Sequence, residues 1–121
     1  MQTRNVLPPT ASVFQTDNLE ALTIKSRPVG LITAEPNPFR PDSQGKVGHT
    51  TVSWMTCAAS RVEIHVDAPD GPTFAGTGPG RFSQKTGQWV RDGMTLYLQD
   101  VSRGLPLTSD NTIAMVTLRS I

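Results

Sequence analysis

Glu63, His65 and Asp67 alternate along one stretch of the chain, and carboxylate, imidazole and carboxylate are competent metal ligands and, in an enzyme, acid–base groups. Alternate residues of a strand stand about 6.6–7 Å apart and project side by side rather than converging, so the row reads as the solvated face of a strand. His49, the second of two histidines, takes the same reading. Asp67, Asp70, Asp92 and Asp100 fall beside turns. Calcium needs about six to eight oxygens gathered in one place, and no stretch has the spacing that delivers them. Single aspartates next to glycine are ordinary turn chemistry.

The remaining reactive residue types are as bland. Gly76-Thr77-Gly78-Pro79-Gly80 has glycines but no following Lys-Ser/Thr and no helix start to meet a phosphate, so it reads as a loose loop between strands. No serine lies in a Gly-x-Ser-x-Gly elbow. Cys57 follows an apolar strand and reads as a small, partly buried filler. The expectation is a protein that is not an enzyme, with no metal and no cofactor.

Trp89 and Tyr97 are the residues with most to offer a ligand. If Trp54 fills the core, one of these two rings is free to stack on a sugar or anchor a protein interface, although both also suit the core or its rim. Trp89 precedes the turn Arg91-Asp92-Gly93, near one end of the fold where loops gather. Trp89, Arg91 and Tyr97 are therefore the candidate contacts for a surface ligand.

The elements that position these residues have period two. Thr50–Trp54, Val62–Val66, Met94–Leu98 and Ile113–Leu118 alternate apolar and polar residues between glycine, proline and aspartate turns. The predicted strands are Gly30–Ala34 at an edge, Val47–Met55, Arg61–Asp67, Thr73–Ala75, Gly87–Val90, Met94–Val101 and Asn111–Arg119. Thr50, Val52 and Trp54 should share one face, and Val62, Ile64 and Val66 should point inward. Glu35-Pro36-Asn37-Pro38-Phe39-Arg40-Pro41 stops the first strand because proline removes ladder donors. Ala68-Pro69-Asp70-Gly71-Pro72 is a turn, with Gly71 free to take positive φ. Seven or eight strands in two face-to-face sheets make an all-β sandwich.

A chain of 121 residues is one domain with an appendage at most. Residues 29–121 form the sandwich. Residues 1–28 form an N-terminal arm in which Asp17-Asn18-Leu19-Glu20 has capping-box spacing and Ala21–Ile24 could be a strand. Phe14, Leu19 and Leu22 are its candidate contacts with a partner subunit. Net charge is +1 with no basic stripe, which disfavours nucleic acid. No apolar run approaches the ~20 residues that cross a bilayer, and the start lacks the pattern of an export signal. One cysteine excludes an internal disulfide, which favours folding in a reducing cytosol.

Val52-Ser53-Trp54, Val62-Glu63-Ile64 and the late Tyr97 resemble fibronectin type III and related immunoglobulin-like domains. The run Gly87-Gln88-Trp89-Val90-Arg91-Asp92-Gly93-Met94, followed by Tyr97-Leu98-Gln99-Asp100, is similar to one in small bacterial and phage-associated modules of this kind. The resemblance covers about the last 90 residues. It implies an immunoglobulin-like β-sandwich with Trp54 in the core, without the cysteine pair of antibody domains. The functional expectation is a structural decoration or accessory protein on the capsid or tail surface of a phage virion, folded in the host cytoplasm. Its arm would hold neighbouring protein subunits, copies of itself included as a homo-oligomer. The alternative is a glycan-binding or adhesion module, cytoplasmic or at a cell surface, that uses Trp89 and the loops beside it.

Overall fold

A computed structural model describes residues 27–121. The arm residues Phe14, Leu19 and Leu22, the Asp17–Glu20 turn and the strand expected at 21–24 lie outside the described residues. Seven strands are present among those described: β1 (Val29–Glu35), β2 (Thr51–Cys57), β3 (Val62–Val66), β4 (Thr73–Thr77), β5 (Gly80–Lys85), β6 (Thr95–Asp100) and β7 (Thr112–Thr117). They form two antiparallel sheets, ordered β1-β2-β5 and β4-β3-β6-β7. Among the described residues, the helical pieces are the single turns Ser102–Gly104 and Ser109–Asn111.

Alternation explains the core. Val52 and Trp54 of β2 face Val62 and Ile64 of β3 and Leu96 and Leu98 of β6, all buried. Ile32, Phe39, Val90 and Leu118 close the layer between the sheets. Each fully buried aliphatic or phenyl side chain contributes about 1.5–3 kcal/mol, so these positions carry the fold. Trp54 satisfies its indole N–H by donating to Thr77 Oγ1 at 3.0 Å, which also links the two sheets.

The proline segment after β1 does more than stop a strand. Asn37 donates from Nδ2 to the Thr117 carbonyl (3.1 Å) and accepts the Arg119 N–H on Oδ1 (2.9 Å). Phe39, fully buried, exchanges backbone bonds with Arg119 and Ile121 in a parallel bridge. The stretch that lost its ladder partners thus finds new ones at the end of the chain. β1 lies alongside β7 as well as pairing with β2.

Several sequence expectations shift. Gly87–Val90 is not a strand: it is a turn that ends in one bridge between Val90 and Gly48. The strand before it is β5, whose six residues are all exposed and therefore show no burial alternation to read. Gly76 and Thr77 belong to β4, so the expected loose loop shrinks to Gly78-Pro79, which carries the chain from the four-stranded sheet to the three-stranded one. Val47–Thr50 precedes β2 rather than belonging to it.

The turn after β3 also differs. Asp67, not Gly71, takes the left-handed conformation, at φ +68°. Gly71 is needed for close approach instead, because a Cβ there would collide with the Val66 carbonyl.

Candidate functional site

The two sheets part along the rims of β4 and β5 and leave an open cleft of about 570 Å³. β4 supplies Thr73 and Phe74, β5 supplies Gln84 and Lys85, and the connection between β5 and β6 supplies Gly87, Trp89 and Arg91. Met94 and Val66 complete the lining. A volume of this size falls within the range of small-ligand sites, roughly 300–1,000 Å³.

Trp89 sits half-buried in this cleft, seated by two neighbours. Phe74 meets it edge to face, with ring centroids 5.8 Å apart and planes at 67°, the arrangement aromatic quadrupoles favour. Gly87 lies against the indole: a Cβ there would come within 2.8 Å of Trp89 Cδ1 and 2.9 Å of Nε1. The Gly-x-Trp spacing is thus what lets the indole fold back over its own turn. Arg91 extends from the same connection, mostly exposed, and meets Asp67 at 3.5 Å. Such an exposed pair contributes about 0–1 kcal/mol and leaves the guanidinium free to find another anion.

The structure therefore brings together Trp89 and Arg91 of the sequence candidates. Tyr97 lies elsewhere, on the outer face of the four-stranded sheet, opposite His65 on β3 and Met115 on β7. Phe74, Gln84, Lys85 and Met94 are lining residues that sequence reasoning missed. Phe74 lies in a stretch read as strand, but nothing in its spacing tied it to Trp89. Gln84 and Lys85 lie on the strand that was not expected.

The Glu63–His65–Asp67 row is split. His65 is 2% exposed, which corrects the solvated-face reading. Its Nδ1 lies 2.6 Å from the Gly71 carbonyl oxygen and its Nε2 2.9 Å from Glu63 Oε1. Both ring nitrogens therefore have an oxygen partner within hydrogen-bond reach. The physical reason for burial is the turn after β3, which folds the Gly71 carbonyl onto the ring, together with a register shift between Ile64 and His65. Glu63 and His65 do touch, contrary to the side-by-side expectation, whereas Asp67 turns away to the Thr95 N–H and Arg91. His49 is exposed. Cys57, expected to be partly buried, is exposed at the end of β2, where the alternation of that strand points it outward. Among the described residues no three His, Cys, Asp or Glu side chains gather to hold a metal ion, and no helix is long and apolar enough to cross a membrane.

A second surface stands on the outer face of the three-stranded sheet. Antiparallel register aligns Leu31, Met55 and Arg81 in one row, Thr33, Ser53 and Ser83 in the next, and Glu35, Thr51 and Lys85 in a third. Val29 and Cys57 form the last row. Val29 and Leu31 are 58% and 57% exposed, and Met55 beside them is half-buried. The β5 edge carries Arg81 and Lys85, charges that discourage indiscriminate strand pairing. Comparison of the chain with family models, with curated proteins and with solved structures finds no match.

Proposed function

We propose that this chain is a non-enzymatic, immunoglobulin-like module of fibronectin type III character that docks copies of itself and other protein subunits in a larger assembly. The surface of a phage virion is the setting the sequence favours. Trp54 on β2 and Tyr97 on β6 support the fibronectin type III character, as does the three-plus-four division of strands. Support for the setting is the lone cysteine: the sandwich closes without a disulfide and suits assembly in a reducing compartment.

The observation that carries the docking function is the exposed apolar end of the three-stranded sheet, Val29 and Leu31 beside Met55. A two-fold axis along the strands would set this face against itself, with Glu35 of one copy opposite Lys85 of the other. Three strands of about seven residues at about 3.3 Å rise and 4.8 Å spacing present only about 300 Å² per copy. A stable interface needs roughly 800 Å² per partner, so the face is too small alone. The arm, with Phe14, Leu19 and Leu22, supplies the remainder, and repetition in a symmetric particle multiplies the weak contact.

Sedimentation velocity of the full chain tests this. Concentration-dependent association is expected, and it should fall away both in Leu31→Asp and in the triple change Phe14→Ser, Leu19→Ser, Leu22→Ser. A chain that stays monomeric to millimolar concentration, or an oligomer indifferent to both variants, refutes the reading.

A further inference from the structure

We infer that the cleft between β4 and β5 is a saccharide site, which takes an acidic sugar in preference to a neutral one. Its centre is separate from the apolar docking end: Phe74, Gly87 and Trp89 line the rims where the sheets part, whereas Val29, Leu31 and Met55 lie on the outer surface of β1 and β2, and Lys85 stands where the two surfaces meet.

Three observations converge. The Trp89 ring is held by Phe74 and by Gly87 in one orientation, so an aromatic platform exists before any ligand arrives. A sugar ring presents an apolar face of C–H groups to such a platform and hydroxyls around its edge. The Trp89 N–H finds no hydrogen-bond acceptor among the described residues, whereas Trp54, in the same fold, has its N–H donated to Thr77. A half-buried indole donor in a concave site is what a sugar hydroxyl satisfies. Finally, the polar groups of the lining are cationic or amide: Lys85 and Arg91 at the mouth, and Gln84 beside them. Asp67 offsets Arg91 only through an exposed 3.5 Å contact. A carboxylate on the sugar would meet Lys85 and compete for Arg91, which forms the stronger, planar two-point pair with such a group. Neutral sugars would keep the stacking and lose this part.

The experiment uses the full chain and its own fluorescence. Trp54 is 4% exposed and bonded, so a ligand-dependent change in emission reports Trp89. An oligogalacturonate and a neutral malto-oligosaccharide are titrated in parallel. Saturable change with the acidic sugar is expected, about tenfold tighter than with the neutral one. Trp89→Ala should abolish the response, and binding to the acidic sugar should be lost when followed by calorimetry. In case Trp89→Ala fails to fold, Lys85→Ala removes only an exposed cation: it should weaken the acidic sugar severalfold and leave the neutral one unchanged. Equal affinity for both sugars overturns the acidic preference. Calorimetric binding that survives both substitutions overturns the site. Absence of any response, with Trp89 shielded from acrylamide quenching, gives the cleft to a segment of the protein and likewise overturns the inference.

Discussion

Replacing His65 by alanine separates a structural histidine from a solvated one. The ring is 2% exposed and engages the Gly71 carbonyl at 2.6 Å and Glu63 at 2.9 Å. Removing it takes the partner from the part-buried Gly71 carbonyl, at about 1 kcal/mol. The space left by the ring adds a packing loss, because the neighbouring turn and strand collapse only in part. Glu63, with a side chain 28% exposed, recovers water and adds little. The sum is a loss of about 2–4 kcal/mol. At an m of about 1–1.5 kcal/mol/M, the urea midpoint should fall by about 2 M with the slope unchanged. His49→Ala, at the exposed histidine, is the internal control and should stay within about 0.5 kcal/mol of the parent chain. Equal midpoints for His65→Ala and the parent would show that the turn does not hold the ring, and the geometry of the β3–β4 connection would be wrong.

Three further outcomes follow from particular atoms. Thr56 Oγ1 is buried without a partner among the described residues, so Thr56→Val should raise stability by about 1 kcal/mol in the same urea assay, and a decrease would mean the hydroxyl is satisfied. Gly71→Ala drives a Cβ into the Val66 carbonyl, a backbone atom that cannot swing aside, and should cost more than about 2 kcal/mol; a thermal midpoint within a few degrees of the parent would contradict the close approach. The Lys46 backbone N–H on Asp42 Oδ1 holds that carboxyl below its ordinary range, against a smaller opposing desolvation. A lowered folded value means that its contribution is full above the ordinary carboxylate range and vanishes as pH falls through the lowered value. An NMR titration of Asp42 with a midpoint at or above 3.8 would refute this.

What the sequence made legible was alternation. Val52 and Trp54, Val62 and Ile64, Leu96 and Leu98 declare one buried face each; β3 and β6 lie within one residue of their expected ends, while β2 begins four residues later than expected. β5 was hidden because Gly80–Lys85 buries nothing: a strand wet on both faces has no pattern to find. His65 misled for the opposite reason. Its position on the polar face was right, but burial there comes from a turn folding back, which local periodicity does not encode. The cleft was half visible: Trp89 and Arg91 are near neighbours in sequence, while Phe74, Gln84 and Lys85 reach it only through the crossing at Gly78-Pro79.

The parallel bridge between Phe39 and Ser120 has a mechanical consequence. β1 and β7 run side by side in the same direction, with Gly30 beside Ile113 at one end and Phe39 beside Ser120 at the other. Whatever precedes Val29 and whatever follows Ile121 therefore leave from opposite poles. Tension applied between those poles slides the two strands lengthwise, so the bonds of Asn37 and Phe39 to Thr117, Arg119 and Ile121 are loaded in shear together rather than unzipped one by one. The two-sheet domain would behave as a stiff rung under load.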